Sequence, residues 1–118
     1  MPLHNESVTT TAVSKDALVE VLPPRDLPSM PRRVLTFSCA GGAGKLGLQA
    51  AKVQVGPTES GPWIDEDISA TSIESLAAGS SDAYRMDRVD RFVRVLARGA
   101  SGEGQTDLTV YLDASGGY

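Results

Sequence analysis

One cysteine, one histidine and six aromatic side chains are all that 118 residues offer of three groups on which much protein chemistry relies. A single cysteine excludes an internal disulfide, which argues against a stapled secreted domain and suits a reducing compartment. Cys39 lies in an alternating apolar stretch and is expected to be a buried, inert thiol. His4 sits in a polar N-terminal segment, where little would hold it rigid enough for a catalytic triad or a histidine metal site. No run approaches the roughly 18 apolar residues of a membrane span. The N-terminus lacks the cationic start and apolar block of a signal peptide, so synthesis in a cytoplasm and no membrane partner are expected. Positive charge is short as well: the net charge of -4 argues against general nucleic-acid binding, which needs a positive field.

What is present belongs to turns and extended chain. With 12 glycines and 7 prolines, much of the chain must be loops and strands, and an apolar content of 41% allows one modest core. Residues 1–31 differ in kind from the rest. They hold a threonine triplet (Thr9 to Thr11), an apolar run from Ala17 to Leu22, and then Pro23, Pro24, Pro28 and Pro31. This pattern reads as an extended N-terminal arm, either frayed or reaching a neighbouring subunit by adding a strand through Leu18, Val19, Val21 and Leu22.

From residue 32 to 118 the pattern is that of a β-sandwich domain. Leu35, Phe37 and Cys39 alternate with Thr36 and Ser38; Val53 and Val55 with Lys52 and Gln54; Leu108, Val110 and Leu112 with Thr109, Tyr111 and Asp113. Turn signals punctuate these runs at the spacing of an antiparallel sandwich, jelly-roll or immunoglobulin-like. Two stretches stay open. Thr71 and Glu74 would form a capping box for one helical turn ending at Gly79. Residues 83–98 fit either a helix closed by Gly99 or two strands, 83–87 and 91–98, about a turn at 88–90; Phe92, Val93 and Val95 favour the strands.

The chemistry-bearing motifs fall short of catalysis. Gly41-Gly42-Ala43-Gly44-Lys45-Leu46 approaches a phosphate-binding loop, but Cys39 stands where its first glycine belongs and Leu46 where a magnesium-binding hydroxyl belongs. A flexible hairpin loop is the expectation. Asp65, Glu66 and Asp67 lack the alternation and central glycine of a calcium loop and read as solvated charge. No enzyme activity, cofactor or metal is expected. Arg85, Arg88, Arg91, Arg94 and Arg98 gather five of the eleven basic residues. They read as a sheet face with local ion pairs to Asp87 and Asp90, or as a docking stripe for an acidic partner through Arg91, Arg94 and Arg98. As a helix, the same stretch would make a basic face and bring nucleic acid back as a candidate. Trp63 and Tyr84 would be the stacking platforms if the domain bound glycans; otherwise Trp63 is a core anchor.

Five stretches carry a resemblance: residues 52–56, 61–65, 77–87, 91–95 (Arg-Phe-Val-Arg-Val) and 108–112 (Leu-Thr-Val-Tyr-Leu). In these, about two thirds of the chain resembles the small β-sandwich decoration, or cement, proteins on the heads of tailed bacteriophages. The resemblance implies a structural virion protein on the capsid exterior that binds and stabilises the major capsid protein lattice as a dimer or trimer. It brings no catalytic residues. A head-completion or tail accessory protein and a carbohydrate-binding module are the alternatives.

Overall fold

Alternation becomes structure wherever one face of a strand can be buried. The structure is a computed structural model that describes residues 2–116; Met1, Gly117 and Tyr118 lie outside the described residues. Eight strands form: β1 (Leu3–Thr10), β2 (Val19–Asp26), β3 (Arg32–Cys39), β4 (Leu48–Gly56), β5 (Ile64–Asp65), β6 (Ser81–Arg85), β7 (Phe92–Gly99) and β8 (Leu108–Ser115). They make two four-stranded antiparallel sheets, β1-β8-β3-β6 and β2-β7-β4-β5. β1 pairs with β8, β2 with β7, β3 with β6 and β4 with β5. The chain is thus one long hairpin with its tip at β4–β5, rolled so that β8 also pairs β3 and β7 also pairs β4. That is a jelly roll, one of the two sandwich types the sequence left open.

The core lies between the sheets. Leu35 and Phe37 of β3, Val53 and Val55 of β4, Val93 and Val95 of β7 and Leu108, Val110 and Leu112 of β8 are fully buried. Cys39 is buried among them, and that burial pushes its thiol pKa up. Residues 83–98 resolve as strands, because Val93, Val95 and Ala97 face the core and Arg94 and Arg98 face out. β6 and β7 are nonetheless no hairpin: they belong to different sheets.

Three expectations are corrected. The first 31 residues are extended, but they form no separate arm: β1 and β2 are edge strands of the two sheets. Val8 and Val19 pack against the core, and Val21 and Leu22 belong to it, so apolar area outweighs the entropy of leaving the segment free. The glycine-rich segment 40–47 is no flexible hairpin loop, because it crosses from one sheet to the other. A β-carbon on Gly41 would stand 2.8 Å from the Gly79 Cα, so glycine is needed where the two backbones meet. Between β5 and β6 the expected helical turn is a single 3-10 turn, Ile73–Ser75, and the capping box does not form. Instead the Thr71 hydroxyl donates back to the Ile68 carbonyl at 2.8 Å, while Ser72 NH donates to the Asp82 carboxylate at 2.7 Å.

Each end of the sandwich is closed by one charged side chain. At one end Arg33, which alternation places inward on β3, is 2% exposed. Its guanidinium donates to the backbone carbonyls of Met30 (2.7 Å), Leu27 (3.1 Å) and Asp90. Burial pulls its pKa down, opposed by Asp90 and Glu66, but a guanidinium stays charged at any physiological pH. At the other end Asp107 accepts from Lys45 Nζ, from Ala12 NH (2.9 Å) and from Gln105 Nε2 (2.8 Å), joining three crossing loops.

Arg33→Met is expected to lower stability by about 3 kcal/mol, because three buried carbonyls lose their donor at about 1 kcal/mol or more each. Arg33→Lys, with a smaller donor set, should cost about half as much. Urea unfolding of both variants measures this, and a loss under about 0.5 kcal/mol for Arg33→Met would show that the end is closed by packing alone.

Candidate binding surfaces

The outer face of the β2-β7-β4-β5 sheet carries most of the residues that the sequence singled out, and it largely satisfies itself. Arg94 Nε donates to Gln54 Oε1 at 2.7 Å, and Gln54 Nε2 donates to Asp65 Oδ1 at 2.7 Å. The Arg94 guanidinium also lies 3.4 Å from Glu20 and 4.4 Å above the Trp63 ring centre. Arg91 grips Asp26 with two hydrogen bonds of 2.6 and 2.8 Å, which hold the Asp26 carboxyl below its usual pKa. Arg88 pairs with Asp90 at 3.0 Å. Of the proposed docking arginines, only Arg98 makes no ion pair among the described residues. The geometry is that of a sheet face with local ion pairs, although the acids are Asp26, Glu20 and Asp90, with Asp87 uninvolved. Two of these acids come from β2, more than 60 residues away in sequence, which no local pattern reveals.

The apolar docking candidates are spent inside the molecule. Val21 and Leu22 are buried, Leu18 and Val19 half-buried, and β2 is already paired with β7. Trp63 is neither a core anchor nor an open stacking platform: it lies half-buried on the outer face, roofed by Arg94. Tyr84 points the other way, into the core, and its hydroxyl donates to Glu66 at 3.3 Å. Burial, then the charges of Glu66 and Asp87, push the Tyr84 pKa up to about 12. The acidic run diverges too, Asp65 going to Gln54, Glu66 to Tyr84 and to Arg88 NH, and Asp67 to Ser69 NH. Lys45, from the phosphate-loop lookalike, is spent on Asp107.

The outer face of the β1-β8-β3-β6 sheet is different, and the sequence reading passed over it. Its rows, read across the register, are Thr9-Thr109-Ser38-Ser81, then Ser7-Tyr111-Thr36-Ala83, then Asn5-Asp113-Val34-Arg85. Hydroxyls dominate, paired as Thr9 with Thr109 and Ser38 with Ser81, both at 2.9 Å. At the Arg33 end the face dips into an open groove of about 490 Å³, lined by Leu3, Asn5, Pro31, Arg32, Arg85 and Asp113 among others. Arg32 and Arg85 are exposed and make no ion pair among the described residues. Asn5, with its amide turned to face acceptors, donates to Asp113 at 2.9 Å. The groove presents two free guanidinium forks about one carboxylate. In sequence Arg85 belongs to the arginine-rich stretch 85–98 and Arg32 to no informative pattern; the register alone brings the two together.

No protein-family model matches the chain, and no curated protein does either. Among solved structures, it is similar to a chain of the disulfide-linked pili that form Bacillus endospore appendages. The TM-score is 0.48 at 13% identity, covering 97% of this chain and 88% of that one. At that distance the pilus chain informs neither the function nor the partners of this one.

The hydrogen-bonded acids make stability pH-dependent with a definite sign. For Glu6, burial raises the pKa, but Arg25 and His4 together outweigh it and leave the carboxyl below its usual value. Lys45 and the Ala12 NH lower Asp107, and Ser72 lowers Asp82. Because these folded-state values lie below the unfolded ones, the stabilisation is complete above the unfolded pKa of about 4 and disappears as pH falls through the folded values. Tyr84 runs in the opposite sense, contributing below pH 10 and losing its contribution as pH rises through about 12. The urea midpoint should therefore be flat from about pH 7 to 5 and fall below about 4, with a shallower fall in Asp107→Asn. An unchanged acid limb in that variant would remove Asp107 from the account.

Proposed function

We propose that this chain is a structural accessory protein of a tailed-phage particle, binding and stabilising the major capsid protein lattice from outside and carrying out no reaction. The observation that carries the reading is the groove on the β1-β8-β3-β6 sheet, where Arg32 and Arg85 face solvent and make no ion pair among the described residues. Two guanidinium forks at one end of a hydroxyl-rich face suit an acidic, extended stretch of a protein partner, which they would hold by paired N–H···O bonds. Asp113 between them would accept from the backbone NH groups of such a segment. The five sequence stretches that resemble phage cement proteins support the particle as the setting. The jelly roll is compatible with it, being used by viral capsid and lectin domains alike, though a fold by itself assigns no function.

The arginines at the groove replace Arg91, Arg94 and Arg98 as the docking charges, because the latter group is mostly neutralised by the protein itself. Purified particles are expected to carry the chain in stoichiometric copies by quantitative mass spectrometry. The double variant Arg32→Glu/Arg85→Glu should fold normally, since both side chains are exposed, and bind particles about ten-fold more weakly or worse. Wild-type occupancy by that variant would remove the groove from the reading. Absence of the chain from particles would remove the virion itself.

A further inference from the structure

Four edge strands border the two sheets, and three of them are blunted. β5 has two residues; β2 contains Pro23-Pro24 and two register shifts; β6 has five residues and is flanked by the segment whose Ser72 binds Asp82. Short strands, prolines and bulges are the usual defences of a sheet edge. β1 has none of them: eight residues run in unbroken register with β8, with no proline, lysine or arginine.

The polarity of its free side follows from one hydrogen bond. Gly116 NH donates to the Pro2 carbonyl, so Pro2 faces β8 and, by alternation, so do His4, Glu6, Val8 and Thr10. Leu3, Asn5, Ser7 and Thr9 therefore aim their NH and C=O groups at solvent, and their side chains are exposed on the outer face as well. The one charge on the strand that could oppose pairing, Glu6, points inward and is held by Arg25 Nε at 2.6 Å and His4 Nε2 at 2.8 Å.

We propose that β1 pairs antiparallel with β1 of a second copy of this chain across a two-fold axis at Asn5, joining two four-stranded sheets into one of eight strands. Side chains select both the occupant and the register. Only registers that align the solvent-facing residues form ladder bonds, so with five or more residues of β1 paired the axis falls at Asn5, Glu6, Ser7 or Val8. An axis at Glu6 sets the two Glu6 carboxylates directly opposite each other, which is unfavourable. An axis at Ser7 sets Glu6 opposite Val8, and one at Val8 sets it opposite Thr10; both leave Glu6 without a cation across the joint and take Leu3 past the end of the strand. With the axis at Asn5, His4 of each copy lies opposite Glu6 of the other, and Leu3 lies opposite Ser7.

Tyr111 stands next to Ser7 on β8. Leu3 is 68% and Tyr111 43% exposed, two of the four large apolar side chains left in water among the described residues. The small Ser7 between them lets the Leu3 of one copy and the Tyr111 of the other close over it. The outer-face residues of β1 are all uncharged, so the net charge of -4 is not concentrated at the joint. The contact is smaller than the roughly 1,200 Å² of stable complexes, so association is weak and concentration-dependent. The inference rests on the β1 edge and not on the virion reading, although Leu3 and Asn5 also line the groove; its test uses the isolated chain and no particle.

Sedimentation equilibrium of the intact chain up to about 1 mM should show a monomer–dimer equilibrium. Ser7→Pro removes a solvent-facing NH and no bond to β8, and should weaken the dimer about ten-fold or more with unchanged circular dichroism. Asn5→Cys should be joined rapidly by a short bis-maleimide, and Ser7→Cys should not; buried Cys39 does not compete. A wild type that stays monomeric, a dimer indifferent to Ser7→Pro, or crosslinking through Ser7→Cys in place of Asn5→Cys would each overturn the proposal. Should Ser7→Pro fail to fold, the two cysteine variants still decide it.

Discussion

A guanidinium enclosed at the end of an apolar core, with backbone carbonyls for its partners, is the interaction on which this sandwich turns. Two stacked sheets bury their facing sides without help, but the ends of the stack expose loop carbonyls to the interior. Arg33 meets that need at one end, because a planar fork can satisfy several carbonyls from different loops at once. It binds the β2–β3 connection to the β6–β7 connection, and backbone bonds from Leu27 NH to Arg91 O and from Met86 NH to Arg33 O reinforce the same closure. Burying a charge is costly, so the arrangement holds only while those carbonyls stay in place.

With the ends shut, the two outer faces are left for different fates. The β2-β7-β4-β5 face is laced by a chain of polar contacts running from Glu20 through Arg94 and Gln54 to Asp65, with Trp63 beneath the guanidinium. Little of its charge remains to offer a partner. The opposite face carries uncharged hydroxyls over most of its area, two arginines at one end that make no ion pair among the described residues, and an undefended strand along one side. Interaction with other proteins is concentrated there on physical grounds, since unmet hydrogen-bonding groups and exposed apolar side chains are what association can still satisfy.

The N-terminal segment shows why local composition misleads. Prolines and threonines read as an arm because nothing within residues 1–31 alone can build a core. In the folded chain Val21 and Leu22 complete the core between the sheets, and Glu6 meets Arg25 across the gap between the two edge strands. Pro23 and Pro24, which suggested a linker, are tolerated because β2 lies at an edge where a missing NH has no ladder partner to lose.

Period-two alternation determined, from sequence alone, that β3, β4 and β8 are strands and which of their side chains turn inward, because a strand's geometry repeats every two residues whatever surrounds it. For the arginine-rich stretch, where a helical spacing competed, Phe92, Val93 and Val95 favoured strand because branched and aromatic side chains suit a pleated surface. Only the tertiary structure decided that Arg33 is core and Trp63 is not, that Arg91 and Arg94 are neutralised by acids from β2, and that Arg32 and Arg85 share a groove. Those outcomes depend on which strands become neighbours, and in a rolled hairpin the neighbours lie far apart along the chain, so register carries information that no window of sequence contains.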